Sequence, residues 1–387
     1  MTATCNSTLS VIFCRSNPIE PDPRVEKAAD CLAKAGYSVT LLGWDRTGRS
    51  ARHETKNNIE YNRIFLSAPY GAGMRNLIRL IQWQVLLLKW LVQSRDHFDV
   101  VHACDFDTVV PALLMKWFYK KAVIYDIFDF YADHFRTKSK NLRNIVRFVD
   151  NRVVNSVDGV ILADDSRVDQ IGGKPKLLIT INNSPPDISE ILELGDSSIE
   201  SSDNFNIVFV GILQRDRGLS QLFALLEKHP DWCLDIAGFG ADVGFVTEES
   251  NKLNNVTWHG RIDYPKALKL SADADTLIAL YDPKVPNHQF ASPNKIFEAM
   301  MLSKPIVVAK NTGMDTLVTQ HNNGVAVDYN NPNELEAALT QLADNSQTRE
   351  QLGMNGRQAY ETQYSWSVME DRLLGFYADA YTRPVRH

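Results

Sequence analysis

The sequence predicts an α/β protein of two doubly wound domains, and three observations predict it. Short β-rich runs alternate with helical patterns along most of the chain, as parallel strands joined by crossover helices do. The alternation pauses once, at residues 188–204, in a polar stretch without a strong period, and then starts again. At 387 residues the chain is too long for one ordinary core and suits two. Two Rossmann-like domains facing each other across a cleft follow, with ligands expected outside the carboxyl ends of the strands.

The first cycle fills residues 1–187. It runs "LSVIFC", a helix over "RVEKAADCLAKAG", "YSVTLLG", then "DVVHAC", "AVIYDIF", "DGVILAD" and "KLLITINN", and closes at Pro185-Pro186. Between the second and third of these strands lies the chain's most apolar helix, residues 74–95. Arg75, Arg79, Gln82, Lys89 and Gln93 form one narrow polar stripe on it, opposite a broad face with Trp83 and Trp90. Its longest uncharged run, residues 80–88, is short of the about 20 residues that span a bilayer. The helix is buried in its domain or lies in a membrane interface.

The second cycle fills residues 205–365: "FNIVFVGIL", helix "GLSQLFALLEKHP", "CLDIAGFG", "NVTWHG", helix "YPKALKLSAD", "ADTLIALY", helix "NKIFEAMM", "KPIVVAK" and "GVAVDY". Residues 366–387 hold a last amphipathic helix, expected to pack back on the first domain.

Composition is that of a soluble globular protein, 44% hydrophobic and 23% charged, so a large core is affordable. Five scattered cysteines, never spaced C-x-x-C, argue against a disulfide framework and a structural zinc. The N-terminus shows no basic region followed by a long apolar run, so a cytoplasmic protein is expected. The net charge of −6 is uneven: residues 1–187 hold 25 Lys+Arg against 20 Asp+Glu, the remainder 16 against 27. A basic first half suits an anionic neighbour, such as a membrane surface or a phosphorylated acceptor. No dense basic run with interleaved aromatics appears, which argues against nucleic acid. Arg136, Lys140, Arg143 and Arg147 recur at three or four and could turn one helix face to anionic headgroups, or to water.

The candidate ligand groups lie in the second half. In "ASPNKIFEAMM", Ser292 is expected to cap a helix beginning at Pro293, leaving free amides for a phosphate. Lys295 and Glu298, three apart, share one helix face. A nucleoside diphosphate needs both, a cation for its phosphates and a carboxylate for its ribose diol; a capped helix with a surface Lys/Glu pair is the plainer alternative. "VFVGILQRDRGLSQLF" ends a strand at Gly211, where backbone can approach a ligand, and carries Arg215 and Arg217. Arginines in such a loop grip a diphosphate without a metal, or are simply solvated. "IAGFG" places Gly238 and Gly240 after another strand. In the first half, Arg24 at the start of the first helix could hold an anionic acceptor or pair with Glu20 or Asp22. "CDFDT" contains Asp105 and Asp107, a literal D-x-D read as capping or acceptor-side rather than metal-binding.

Taken together, G-x-L-x-x-x-R-G, I-A-G-x-G, W-H-G-R-I, S-P-N-K-x-F-E-A-M and Y-S-W in this order resemble the donor domain of GT-B glycosyltransferases, the retaining family 4, over residues 207–380. "DPRVEKAADCLAKAGYSVTLL" and "TINNSPPDI" match the family's first domain more loosely. The resemblance implies transfer of a sugar from a UDP- or GDP-type nucleotide sugar to a glycan or lipid-linked acceptor, as in polysaccharide assembly, with retention and without metal or other cofactor. It implies Arg217, helped by Arg215 and Lys295, on the donor diphosphate, Glu298 on the ribose hydroxyls and Arg261 beside the nucleobase. Backbone between Ser292 and Lys295, Asn294 included, lines the phosphate and sugar pocket. Three positions depart from the family: Phe290 stands at its first glutamate, Ile212 at a second arginine and Phe128 at a first-domain histidine. Gln289 or His288 would then serve the donor sugar, and Asp126 or Asp129 would orient the acceptor. The same departures leave a degenerate binding or partner subunit of this fold as the alternative.

Overall fold

The computed structural model describes residues 9–69, 76–128, 140–188 and 204–382. The chain divides into two compact units, one of residues 1–182 with 370–387, the other of residues 183–369. Most of the polar connection at 188–204 lies outside the described residues.

In chain order the first unit holds β1 (Ser10–Arg15), α1 (Pro23–Lys34), β2 (Ser38–Asp45), β3 (His53–Lys56), β4 (Ile59–Phe65) and α2 (Leu77–Gln93). It continues with β5 (Val100–Cys104), α3 (Phe106–Tyr119), β6 (Ala122–Ile127), α4 (Lys140–Ser156), β7 (Gly159–Leu162) and β8 (Leu178–Thr180). The sheet order is β3-β4-β2-β1-β5-β6-β7-β8, parallel except for the β3–β4 hairpin. Strand order therefore reverses between β1 and β5, which leaves a crevice at their carboxyl ends. β5 is buried along its whole length, as a central parallel strand covered on both faces must be.

Local chemistry fixes the helices. Asp22 caps α1 by accepting from the Val25 amide, with Pro23 at the first helical position. α2 turns Trp83, Leu87 and Leu91 into the core, where Trp83 stacks on Trp44 at 5.4 Å. Its apolar surface does not stop there: Ile78, Ile81 and Val85 are 70%, 56% and 60% exposed. The helix is thus both a core helix and an apolar outer face. No helix among the described residues is long and apolar enough to cross a membrane.

The second unit holds β9 (Phe205–Ile212), α5 (Leu219–Lys228), β10 (Trp232–Phe239), α6 (Val243–Ser250), β11 (Val256–Trp258), α7 (Tyr264–Ala272) and β12 (Thr276–Ala279). It ends with α8 (Asn294–Met301), β13 (Ile306–Ala309), α9 (Met314–His321), β14 (Gly324–Val327), α10 (Pro332–Asp344) and α11 (Ser346–Ala359). Helix α12 (Trp366–Thr382) closes the chain. The sheet order β11-β10-β9-β12-β13-β14 is parallel throughout and reverses between β9 and β12. Two apolar layers cover it, one with Leu219, Leu222, Val246 and Leu339, the other with Phe297, Met300, Val318 and Tyr360.

Candidate donor site in the second unit

The crevice between β9 and β12 gathers the cations that the sequence singled out. Gly211, next to last on β9, has a φ of +144°, which side chains rarely adopt, and a Cβ there would come 3.6 Å from the Lys295 ammonium. Lys295, at the start of α8, donates to the Ile278 carbonyl of β12 at 3.3 Å and lies 4.3 Å from the centre of the Phe209 ring of β9. It therefore bridges the two strands of the switch point. Burial, reinforced by the Arg217 charge, pushes its ammonium down to about 7, with Glu298 opposing.

Arg217 follows β9 in a single 3₁₀ turn. Its guanidinium donates to the Tyr281 hydroxyl and lies 4.3 Å from the centre of the Tyr281 ring, just beyond β12. Its buried Nε has no hydrogen-bond partner. Arg215 turns the other way, toward Asp242 at 3.5 Å and the Phe245 ring at 4.6 Å, so it is not gathered with Arg217 and Lys295.

α8 begins at Asn294, one residue later than expected. Pro293 takes the cap position with an extended ψ of 145°, and no side chain caps the helix. Pro293 is itself extended, so the first helical residue is the one that follows it. Ser292 Oγ, relieved of capping, is buried without a partner. Two unsatisfied polar atoms, Arg217 Nε and Ser292 Oγ, thus lie in the segments flanking this crevice, and buried polar groups left so are the exception in folded proteins.

Glu298, one turn further along α8, accepts from the Tyr264 hydroxyl at 2.9 Å. Gly238 and Phe239 end β10. A Cβ on Gly238 would meet the Gly211 carbonyl oxygen at 1.8 Å, so this glycine sets the close approach of β9 and β10. Phe239 is 49% exposed, and the Arg261 guanidinium lies 4.8 Å from its ring centre. His288, beside Phe290 at the family's glutamate position, is buried, with Nδ1 3.0 Å from the Asp282 carbonyl; Gln289 donates to the Pro283 carbonyl at 3.2 Å.

Sequence reasoning missed Tyr281, Phe239 and Tyr264. The first two are aromatics at a strand's last residue and just beyond a strand end, positions that mark the ligand side of such a sheet. Tyr264 had no signal, because its partner is set by the packing of α7 against the rest of the unit.

The first unit has its own polar cluster at the carboxyl ends of β1, β5 and β6. Arg24 forms a two-pronged ion pair with Asp126, Nη2 to Oδ1 at 2.7 Å and Nε to Oδ2 at 3.2 Å, and donates to the Ile181 carbonyl at 2.6 Å. It pairs with neither Glu20, which meets Lys56 and Arg63, nor Asp22, which meets Arg15. Burial works against the Asp126 charge, but Arg24 and His102 hold its carboxyl below the ordinary value. His102, fully buried on β5, has Nε2 3.4 Å from Asp126 and Nδ1 2.7 Å from the Tyr377 hydroxyl of α12. Asp105 meets Arg15 and accepts from the Phe128 amide at 3.0 Å, in a left-handed φ of 67°. The Phe128 ring lies 4.1 Å from the Arg15 guanidinium and 4.9 Å from that of Arg24. Burial and the Asp105 charge raise the Asp107 carboxyl to about 6. Asp129 and Arg136 lie outside the described residues.

A family model described as glycosyl transferases group 1 matches residues 193–359. The match lies within the second unit. Spore coat protein SA of Bacillus subtilis is 26% identical over 190 residues, covering 44% of this chain and 48% of that protein. The chain spans about half the length of curated relatives such as this one. The fold extends further than the sequence likeness. Sucrose-phosphate synthase from Thermosynechococcus elongatus superposes with a TM-score of 0.75 at 14% identity, covering 96% of this chain and 98% of that one. HepE of Anabaena in complex with UDP gives 0.71 at 16% identity, covering 96% of this chain and all of that one. The fold is GT-B, two Rossmann-like units in one chain, and the second unit contributes the crevice with Gly211, Arg217, Lys295 and Glu298.

Proposed function

We propose that the protein transfers a sugar from a UDP- or GDP-type nucleotide sugar to a glycan or lipid-linked acceptor, with retention and without a metal, in polysaccharide or glycoconjugate assembly. The observation that carries the reading is the pair Arg217 and Lys295 at the β9/β12 switch point, a half-buried arginine and a lysine beside a glycine whose backbone is open to a ligand. Two cations there suit the two charges of a diphosphate, and fixed cations stabilise the charge that grows on it as the glycosidic bond breaks. Glu298 accepts the ribose hydroxyls, and Arg261 with Phe239 flanks the base. HepE, a structural neighbour, is described with UDP and with UDP-glucose, which supports a uridine donor.

For retention, the acceptor hydroxyl approaches from the face the diphosphate leaves, and its proton passes to a departing phosphate oxygen. No strong protein base is then required. On the acceptor side, Asp126 is held as an anion by Arg24, so its role is to orient a hydroxyl by accepting from it.

An anionic membrane surface is the second partner. The exposed Ile78, Ile81 and Val85 of α2, beside exposed Arg79 and Lys89, suit the boundary between acyl chains and headgroups.

Calorimetric titration of the protein with UDP, GDP and ADP, with and without magnesium, tests the donor site. Metal-free binding of one nucleotide, weakened about tenfold or more in Arg217→Ala and in Glu298→Ala, is expected for lost charge-assisted bonds. Binding that strictly requires magnesium, or that neither variant alters, overturns the reading.

A further inference from the structure

One oxygen of the Glu298 carboxylate already has a donor: the Tyr264 hydroxyl lies 2.9 Å from Oε1. The two residues are 34 apart in sequence and come from different helices, α7 and α8. Tyr264 is presented by a firm support rather than a loop. It is the first residue of α7, whose cap Asp263 accepts from the Lys266 amide at 3.0 Å, and Pro265 follows it. Burial, and then the Glu298 charge, push the phenol above its ordinary range, so it stays protonated and can only donate to the carboxylate.

A carboxylate offers about four lone-pair positions over its two oxygens. A vicinal diol takes one on each, provided the carboxylate plane faces it. A glutamate side chain has several free torsions, and fixing them on ligand binding costs free energy. A neighbour that fixes them beforehand removes that cost. Given the proposed role of Glu298 toward ribose, on which the inference rests, we infer that Tyr264 is a positioning residue for that carboxylate. It is a brace that sets the carboxylate plane for a ribose 2′,3′-diol, so that the pair selects ribonucleotides over deoxyribonucleotides. Tyr264 is itself 49% exposed.

The test compares UDP with 2′-deoxy-UDP by calorimetry, or GDP with 2′-deoxy-GDP where guanine is the base taken. Tyr264→Phe keeps the ring and removes only the hydroxyl. Its expected effect is a loss of about tenfold for UDP with less than about twofold for 2′-deoxy-UDP, so that the ratio between them collapses. Glu298→Gln collapses the same ratio, and the double variant adds little to either single loss, as coupled residues do. An unchanged ratio in Tyr264→Phe overturns the inference. So does tighter UDP binding, which would make the hydroxyl a competitor that ribose displaces, and so does equal weakening of both nucleotides, which would mark a general loosening of the site. A wild-type protein that binds no nucleotide fails the donor reading itself, a result distinct from an unchanged ratio.

Discussion

Lys295 and Phe209 are locked together, the ammonium 4.3 Å from the ring centre, although one residue starts a helix and the other lies inside the neighbouring strand. An aromatic face stabilises a cation but replaces little of its hydration. The lysine therefore sits where a phosphate would improve its surroundings.

That placement gives nucleotide binding a pH dependence. The free ammonium, lowered to about 7, is largely neutral at about pH 8, whereas a diphosphate favours the protonated form. Binding then takes up a proton, and nucleotide affinity falls as pH rises above 7. Calorimetry in buffers of different ionisation enthalpy reads the proton directly. Lys295→Met is expected to bind with no proton uptake and a flatter pH profile. Stability moves the other way: between about 7 and the ordinary lysine value of 10.5 the unfolded chain holds the extra proton, so stability rises with pH across that window.

Gly238→Ala is expected to destabilise the second unit by about 2 kcal/mol or more, because φ is +152° and the new methyl group would fall 1.8 Å from the Gly211 oxygen. Gly244→Ala, on α6, has nothing within 4 Å of its added carbon and serves as the control. Thermal unfolding monitored by circular dichroism separates the two.

The Arg24–Asp126 pair is nearly dry, with side chains 10% and 6% exposed. Removing one partner leaves a buried charge, so Asp126→Asn or Arg24→Met is expected to lose about 3–5 kcal/mol in urea unfolding. The double change Arg24→Met with Asp126→Leu is expected to recover much of it. Additive losses would mean that the two residues act through other neighbours.

Replacing Ile81 and Val85 by glutamate alters only the outer face of α2. Unfolding midpoints are expected to stay within a few degrees, since surface changes are usually within about 0.5 kcal/mol. Co-sedimentation with vesicles containing anionic lipid is expected to be lost. Retained sedimentation would remove α2 from the proposed membrane surface.

Much of the architecture is legible in the sequence, because parallel strands buried on both faces write themselves as short apolar runs separated by helical periods. That logic also places Gly211, Arg217 and Lys295 near one crevice, since all three adjoin the carboxyl ends of neighbouring strands. Partnerships across the sheet are not legible. The sequence offers Arg24 its near neighbours Glu20 and Asp22, and the structure gives it Asp126, 102 residues away. Proximity in sequence is a poor guide when a fold brings strand ends together. For α2 the apolar pattern poses burial and interface as alternatives. A helix of that width satisfies both, with Trp83 inward and Ile81 outward. Serine followed by proline usually starts a helix with the serine as its cap; here Pro293 holds the cap position and the Ser292 hydroxyl is left over.

His102 carries a consequence for how this chain can change. Its Nε2 faces the Asp126 carboxylate and its Nδ1 the Tyr377 hydroxyl, so both ring nitrogens have a partner. One ring nitrogen of a fully buried strand residue is thus partnered by the tail helix, 275 positions downstream. Shortening the tail past Tyr377, or exchanging that tyrosine for phenylalanine, strands a ring nitrogen in the interior of the first unit. Residues 102 and 377 are tied as one buried contact, so that the helix carrying Tyr377 is no more expendable than the fifth strand.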